Sequence, residues 1–265
     1  MGATVQLGQV RTWYDERGEG DPLVMMHGGL VDGRFFEPNI GPLAERFHVF
    51  LPERRGHGHT PDVEGPITYQ LMTDDMIAFL EQVVGEPADL VGHSDGAVVA
   101  LQIGIQRPDL VKRLVLISGG FNKNGSATPD MALDVDQITQ FLGPAYGEVS
   151  PDGEAHFPVV AAKIAVLSAT EPNLSAAELS AVTARSLVMF SDDDQMTLAH
   201  AADMYEALPS AELAIVPGTS HFLTQEKPDL VNEIVVEFLT VDPVPTVAGI
   251  LRAAQPDLDT ANEDS

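Results

Sequence analysis

The chain contains no cysteine. That absence excludes disulfides, thiolate catalysis and cysteine-ligated zinc, and a cytoplasmic setting is compatible with it. Basic residues are scarce. Lys and Arg number 14 against 40 Asp and Glu, for a formal net charge of −26. Nucleic acids and anionic membranes are bound through basic patches, so neither is expected as a partner. The plain reading of the acidity is a solubilising, self-repelling surface, and the sharper reading is a field that steers a cationic substrate. No apolar run approaches the length of a membrane span, and Met1–Leu7 has neither the basic region nor the apolar core of a signal peptide, so no membrane association is expected. Low-complexity tracts and internal repeats are also missing. A length of 265 residues suits one domain, or one domain with an insertion.

What is present is an alternation of strand and helix patterns, which implies an α/β fold with a mostly parallel, doubly wound sheet. Val5–Tyr14 reads as an edge strand, followed by a Gly/Asp/Glu turn at Asp15–Asp21. Leu23–Met26 is a short buried strand, Glu37–Arg46 a helix and Phe47–Leu51 a strand. Apolar residues at helical spacing run through Thr68–Val84. Ala88–Val91 is a strand, the small apolar residues from Ala97 start a helix that Arg107-Pro108 closes, and Val111–Ser118 is the next strand. The rhythm then breaks. Residues 121–185 hold helix patterns near Val135–Leu142 and Phe157–Ser168 and a capping box at Ser175–Glu178, without convincing strands. This segment is expected to be a short helical cap, inserted between a first core part at 1–120 and a second at 186–241. The second part carries a strand at Ser186–Phe190, a helix at Leu198–Leu208, a strand at Ala211–Val216 and a helix at Pro228–Leu239. An acidic tail at 242–265 includes a short helix pattern near Val247–Ala254.

Gly92-His93-Ser94-Asp95-Gly96 joins the strand at Ala88–Val91 to the following helix. A Gly-x-Ser-x-Gly turn in that context presents a serine hydroxyl on strained backbone, as a nucleophile must be presented. A serine becomes nucleophilic only when a base takes its proton, and the base needs a carboxylate to hold its tautomer. The acid and the base are each expected after a later strand. Asp192, Asp193 and Asp194 follow Ser186–Phe190, and His221 lies in the turn after Ala211–Val216. Asp194 is the favoured acid, with Asp192 next. The alternative for this cluster is an acidic helix N-terminus. His221 is favoured among the eight histidines by its strand-end position and chain order. The developing oxyanion needs two backbone donors. Asp95 supplies one N–H, and the second is expected from His27-Gly28-Gly29, with Gly29 favoured and Leu30 the alternate.

These segments resemble the α/β-hydrolase family over roughly residues 5–240. His27-Gly28-Gly29, the run Pro52–Thr60, the elbow at Gly92–Gly96, the acid loop at Phe190–Asp194 and the histidine loop at Pro217–Phe222 carry the likeness. Ser191 stands where relatives usually have glycine, and Glu53 where they often have aspartate. Asp95 and the short cap make the chain similar to the valacyclovir-hydrolase-like and small esterase or lactonase branches. The serine nucleophile argues against haloalkane dehalogenases and epoxide hydrolases, which use aspartate there. The resemblance implies a cofactor-free, metal-free serine hydrolase that acts on a small-molecule carboxylic ester, lactone or thioester through an acyl-enzyme on Ser94. Hydrolysis of a diketone carbon–carbon bond with the same triad, perhydrolase side activity, or a catalytically inactive ligand receptor are the other readings. The Asp95 carboxylate is expected either to meet a substrate ammonium group or to bond nearby backbone. Pocket candidates are His93, Phe35, Phe121, Phe141, Tyr146, Phe157 and Phe222. A homo-oligomer is compatible with the sequence.

Overall fold

The structure, a computed structural model, describes residues 2–128 and 133–243. The helix expected near Val247–Ala254 lies outside the described residues. The strands are β1 (Ala3–Leu7), β2 (Val10–Arg17), β3 (Asp21–Met26), β4 (Phe47–Pro52), β5 (Ala88–His93), β6 (Val111–Ile117), β7 (Arg185–Asp193) and β8 (Ala211–Ser220). The helices are α1 (Glu37–Ala44), α2 (Tyr69–Phe79), α3 (Asp95–Gln106), α4 (Val135–Gly147), α5 (Phe157–Thr170), α6 (Ala176–Leu179), α7 (Leu198–Ala207), α8 (Leu223–Glu226) and α9 (Pro228–Thr240).

The strands form one eight-stranded sheet in the order β1-β2-β4-β3-β5-β6-β7-β8. The pairs β1–β2 and β2–β4 are antiparallel and the others parallel. The single edge strand expected at Val5–Tyr14 is in fact a hairpin. Gly8 adopts φ 56, a left-handed conformation that suits glycine, and Leu7 pairs with Val10 across the two-residue turn. The helix expected over Thr68–Val84 is also subdivided. Thr68 caps α2 by accepting from the Leu71 N–H at 3.1 Å, and beyond Phe79 the chain widens into a π-helical turn that ends at Gly85.

Period-two alternation sorts each central strand between two apolar layers. Val24 and Met26, Leu114 and Leu116, and Val188 and Phe190 join the layer under α2, α3 and the inserted helices. Leu23 and Met25, Val115 and Ile117, and Leu187 and Met189 join the opposite layer under α1 and α9. Successive strands are added on opposite sides of β3, with β4 on one flank and β5 on the other. In such sheets the crevice for a ligand opens outside the carboxyl ends of the strands at this reversal. The loops there are His27–Gly29 after β3 and Ser94 after β5.

The helices α4, α5 and α6 lie between β6 and β7, and no strand runs there among the described residues. On α5, Phe157, Val160, Ala161, Ile164 and Leu167 form the buried stripe of an amphipathic helix. Polar contacts fasten these helices to the core. Asp62, in the loop after β4, accepts from Lys163 Nζ at 2.7 and 2.8 Å and contacts His156 Nε2 at 2.9 Å, and its own N–H donates to Asp152 at 2.6 Å. Ser175 and Glu178 close the capping box on α6. Trp13 of β2 stacks on His59 with ring centres 4.1 Å apart, its N–H donates to Thr60 Oγ1 at 2.9 Å, and its carbonyl accepts from the Glu53 N–H at 2.9 Å. No helix among the described residues is long and apolar enough to cross a membrane.

Candidate active site

Ser94 sits between β5 and α3 at φ 53 and ψ −120. A non-glycine residue in this region stores about 1–3 kcal/mol of strain, held by the surrounding structure. The Ser94 N–H donates to the Ile117 carbonyl at 2.8 Å, which pins the turn to β6. The flanking glycines are required by close approach. A Cβ at Gly96 would lie 2.0 Å from the Met26 carbonyl oxygen, and one at Gly92 would lie 2.3 Å from that of Gly96.

The Ser94 hydroxyl is 3.0 Å from His221 Nε2, and His221 Nδ1 is 2.9 Å from Asp194 Oδ1. The loops after β5, β7 and β8 thus bring together the three residues singled out in the sequence. With the Nδ1 proton directed to Asp194, Nε2 carries the lone pair that faces the serine. Asp194 is buried. Burial alone would raise its carboxyl, but the hydrogen bond and charge of His221, then Ser118 and Ser191, outweigh it and hold the group well below the usual carboxylate range. The Ser118 hydroxyl donates to Asp194 Oδ2 at 2.5 Å, and the Ser191 hydroxyl and N–H donate to it at 3.0 and 3.2 Å. Ser191, which replaces the usual glycine, therefore orients the acid. Ser118 was not identified from the sequence. Its one signal is its place just after β6, and it too has a positive φ, 51.

The other aspartates have different surroundings. Asp192 accepts from the Gly218 and Thr219 N–H groups at 2.7 and 3.2 Å and so shapes the turn that leads to His221. Asp193 is exposed. The N-cap of α7 is Thr197, which accepts from the His200 N–H, so the acidic cluster does not cap that helix.

The N–H groups of Gly29 and Asp95 donate to no protein acceptor among the described residues. The loop that bears Gly29 is held from behind by Arg54, which is fully buried. Its guanidinium donates to the carbonyls of His27 and of Gly28, the latter at 2.9 Å. In a trans peptide the C=O and the next N–H point opposite ways, so anchoring the Gly28 carbonyl turns the Gly29 N–H away from Arg54. Burial lowers Arg54 to about 10, which leaves it charged at neutral pH. The Asp95 side chain is held by a side-chain hydroxyl and not by nearby backbone. Its Oδ1 accepts from the Tyr69 hydroxyl at 2.6 Å, and its Oδ2 lies where a side chain on Gly29 would go.

A cavity of about 310 Å³ opens beside this loop, lined by Leu30, Phe35, His57, Leu142, Tyr146 and Phe157 among others. Of the seven pocket candidates, Phe35, Tyr146 and Phe157 line this cavity. Four other aromatic candidates do not line it. Phe141 is 73% exposed, because Leu142 and Tyr146 take the inward face of α4 and leave it on the outer one. Phe121 stacks on His200 at 4.3 Å. Phe222 is 45% exposed, with its ring edge-on to His221. His93 is buried, and its Nε2–H donates to the His221 carbonyl at 2.8 Å, tying the serine's strand to the histidine loop. Burial, then the charge of His221, lower His93 to about 3, so it stays neutral. Among the described residues no group of three or more His, Asp or Glu is placed to hold a metal ion.

The chain is 32% identical over 125 residues to the (E)-2-((N-methylformamido)methylene)succinate hydrolase of Acinetobacter baylyi, a match that spans 47% of this chain and 48% of that protein, about half its length. It is 24% identical to a putative carbamate hydrolase, RutD, of Azorhizobium caulinodans over 87% of this chain and 96% of that one. Among solved structures, Est816, an N-acyl homoserine lactone degrading enzyme, superposes with a TM-score of 0.72 and 26% identity over 89% of this chain and 100% of its own. The enol-lactonase of Burkholderia xenovorans shares the fold with a TM-score of 0.74 at 20% identity over 90% of this chain and 100% of that one. A sequence profile described as the alpha/beta hydrolase family matches residues 23–234. The chain belongs to the α/β hydrolase family.

Proposed function

We propose that the protein is a serine hydrolase of small carboxylic esters, lactones or thioesters and works through an acyl-enzyme on Ser94. The observation that carries this reading is the unbroken hydrogen-bonded line from the Ser94 hydroxyl through His221 to Asp194, at 3.0 and 2.9 Å. In the first half-reaction Ser94 Oγ attacks the acyl carbon while His221 Nε2 takes its proton. Asp194 stabilises the resulting imidazolium and keeps the ring oriented. The oxyanion of the tetrahedral intermediate is received by the N–H groups of Gly29 and Asp95, a contribution of about 3–4 kcal/mol per donor. Collapse breaks the bond to the leaving group, which takes the proton from His221. Water then attacks the acyl-enzyme with His221 as base, and the carboxylic acid departs. The cavity beside Leu30 and Phe35 receives the substrate's side chain, and the helices between β6 and β7 act as its cap. The likeness to Est816 supports the inclusion of lactones.

Turnover of 4-nitrophenyl esters tests this reading. Ser94→Ala is expected to reduce kcat by about 10⁴-fold or more, and Asp194→Asn by about 10⁴-fold with folding intact. A fluorophosphonate adduct located by mass spectrometry on the Ser94 peptide would add direct support. Unchanged turnover in Ser94→Ala would refute the mechanism.

A further inference from the structure

The one arginine among the cavity's lining residues is Arg34, in the turn that leads from β3 into α1. A guanidinium has five N–H donors. In this structure Nε donates to Asp32 Oδ1 at 2.9 Å, Nη2 to Asp32 Oδ2 at 2.8 Å and to the Ala145 carbonyl at 2.6 Å, and Nη1 to Glu148 Oε2 at 2.7 Å. Four donors are thus committed, and one positive charge faces two carboxylates. The same bonds join the loop after β3 to the end of α4, so a ligand that captured Arg34 would have to loosen the inserted helices. Of the other cations in this region one is paired and one is neutral, and Arg54, whose Nε and Nη1 have no partner among the described residues, lies fully buried outside the cavity lining. Lys163 is held by Asp62 and the Val63 carbonyl. His57 donates from Nδ1 to the Arg55 carbonyl at 2.9 Å, and burial, then the nearby charge of Arg54, lower it to about 4. Arg54 has no exposed surface and is turned to the His27 and Gly28 carbonyls. Leu30, Phe35, Leu142 and Phe157 supply apolar wall, and Tyr146 and Gln225 add neutral polar groups to it.

We propose that Arg34 is a neutralised structural cation and that the site selects substrates whose portion in this cavity is uncharged, rejecting those that carry a carboxylate there. The proposal rests on the ester-hydrolase reading for its substrates, but its physical content concerns the cavity alone. A carboxylate entering the cavity would lose water and meet Asp32 beside an Arg34 whose charge already faces Asp32 and Glu148, which is unfavourable by the ordinary rules of charge burial. Two relatives are named for hydrolysis of substituted succinates, so the proposed exclusion sets this chain apart from them.

The test uses two esters that differ only in a terminal methyl or carboxylate, 4-nitrophenyl hexanoate and the 4-nitrophenyl monoester of adipic acid. The wild-type protein is expected to favour the hexanoate in kcat/KM by roughly a hundred-fold. Glu148→Gln, which removes one of the two negative charges facing Arg34, is expected to raise the adipate-to-hexanoate ratio about three- to ten-fold, and Glu148→Lys further. Glu233→Gln on α9 removes the same charge from a distant surface and is expected to leave the ratio unmoved. Equal use of both esters by the wild type, or the same ratio in Glu148→Gln and Glu233→Gln, would overturn the proposal. If no ester is turned over, the hydrolase reading fails, and saturation-transfer NMR with hexanamide and adipamate still decides this one. Binding of the amide without the acid supports it, and equal binding or tighter binding of the acid refutes it.

Discussion

Substituting Gly29 by alanine tests the geometry of the oxyanion loop. Gly29 is not among the glycines with positive φ, so its backbone accepts alanine, and the change alone would stabilise the protein by about 0.4–1 kcal/mol through the unfolded chain. The obstacle is spatial. The new methyl carbon would lie 2.4 Å from Asp95 Oδ2 and 3.2 Å from its Cγ, while Ile164 Cγ2 at 3.6 Å is an ordinary contact. The carboxylate must rotate, and its 2.6 Å bond from the buried Tyr69 hydroxyl is lost. A hydrogen bond to a charged group contributes about 1.5–3 kcal/mol, so Gly29→Ala is expected to destabilise by ~2 kcal/mol net. Asp95→Ala leaves the same hydroxyl unpaired and has a similar effect. Because both changes break one bond, the double variant is expected to be no less stable than Asp95→Ala alone. The coupling energy is then ~2 kcal/mol, within the range seen for residues in contact. Urea unfolding of the four proteins, followed by circular dichroism, measures it directly. Additive single effects would refute the argument, since they would mean that the methyl and the carboxylate do not compete for one space.

Two further outcomes follow from buried or bridging acids. Asp89 in β5 is 1% exposed; its Oδ2 is 3.6 Å from Arg113, its Oδ1 has no partner among the described residues, and burial pushes it up to about 6. A raised carboxyl stabilises the fold below its unfolded value, and that contribution is lost as pH rises through about 6; the gap from 3.8 is worth ~3 kcal/mol, so Asp89→Asn is expected to gain up to that amount on the wild type between pH 4 and 7.5, and a pH-independent difference in unfolding free energy would contradict it. At Asp62, burial raises the carboxyl, but the hydrogen bonds from Lys163 and His156 outweigh it and leave the group below its ordinary value. Its contribution is present above the unfolded value and lost as pH falls, so Asp62→Asn is expected to lower stability by about 1–2 kcal/mol at pH 7 and progressively less toward pH 3; a constant deficit would count against the ion pair.

Much of the fold and the candidate site was legible because short-range chemistry wrote it. The glycines around Ser94, the apolar strands before each loop and the order Ser94, Asp194, His221 are local signals. What escaped depends on tertiary placement. Ser118 looks like any strand-end serine until β7 brings Asp194 within 2.5 Å. Arg54 stands in an arginine pair with no local signal of burial, yet the fold buries it behind the loop after β3. The hairpin hinges on one glycine, and no periodicity separates β1 from β2. Phe141 and Leu142 are equally apolar neighbours, and only the angle at which α4 meets the core decides which of them turns inward.

Trp13 is the chain's single tryptophan. It touches the loop of residues 53–60 through a stacked ring and two backbone bonds, and that loop also carries Arg54 and His57. The protein therefore holds an intrinsic fluorophore whose emission comes from one assigned place. An imidazole stacked on an indole quenches it by contact, so any shift of His59 changes both intensity and lifetime. Movement of the loop of residues 53–60 becomes readable as light from the unlabelled chain, with acrylamide quenching as the measure of how tightly the stack stays closed.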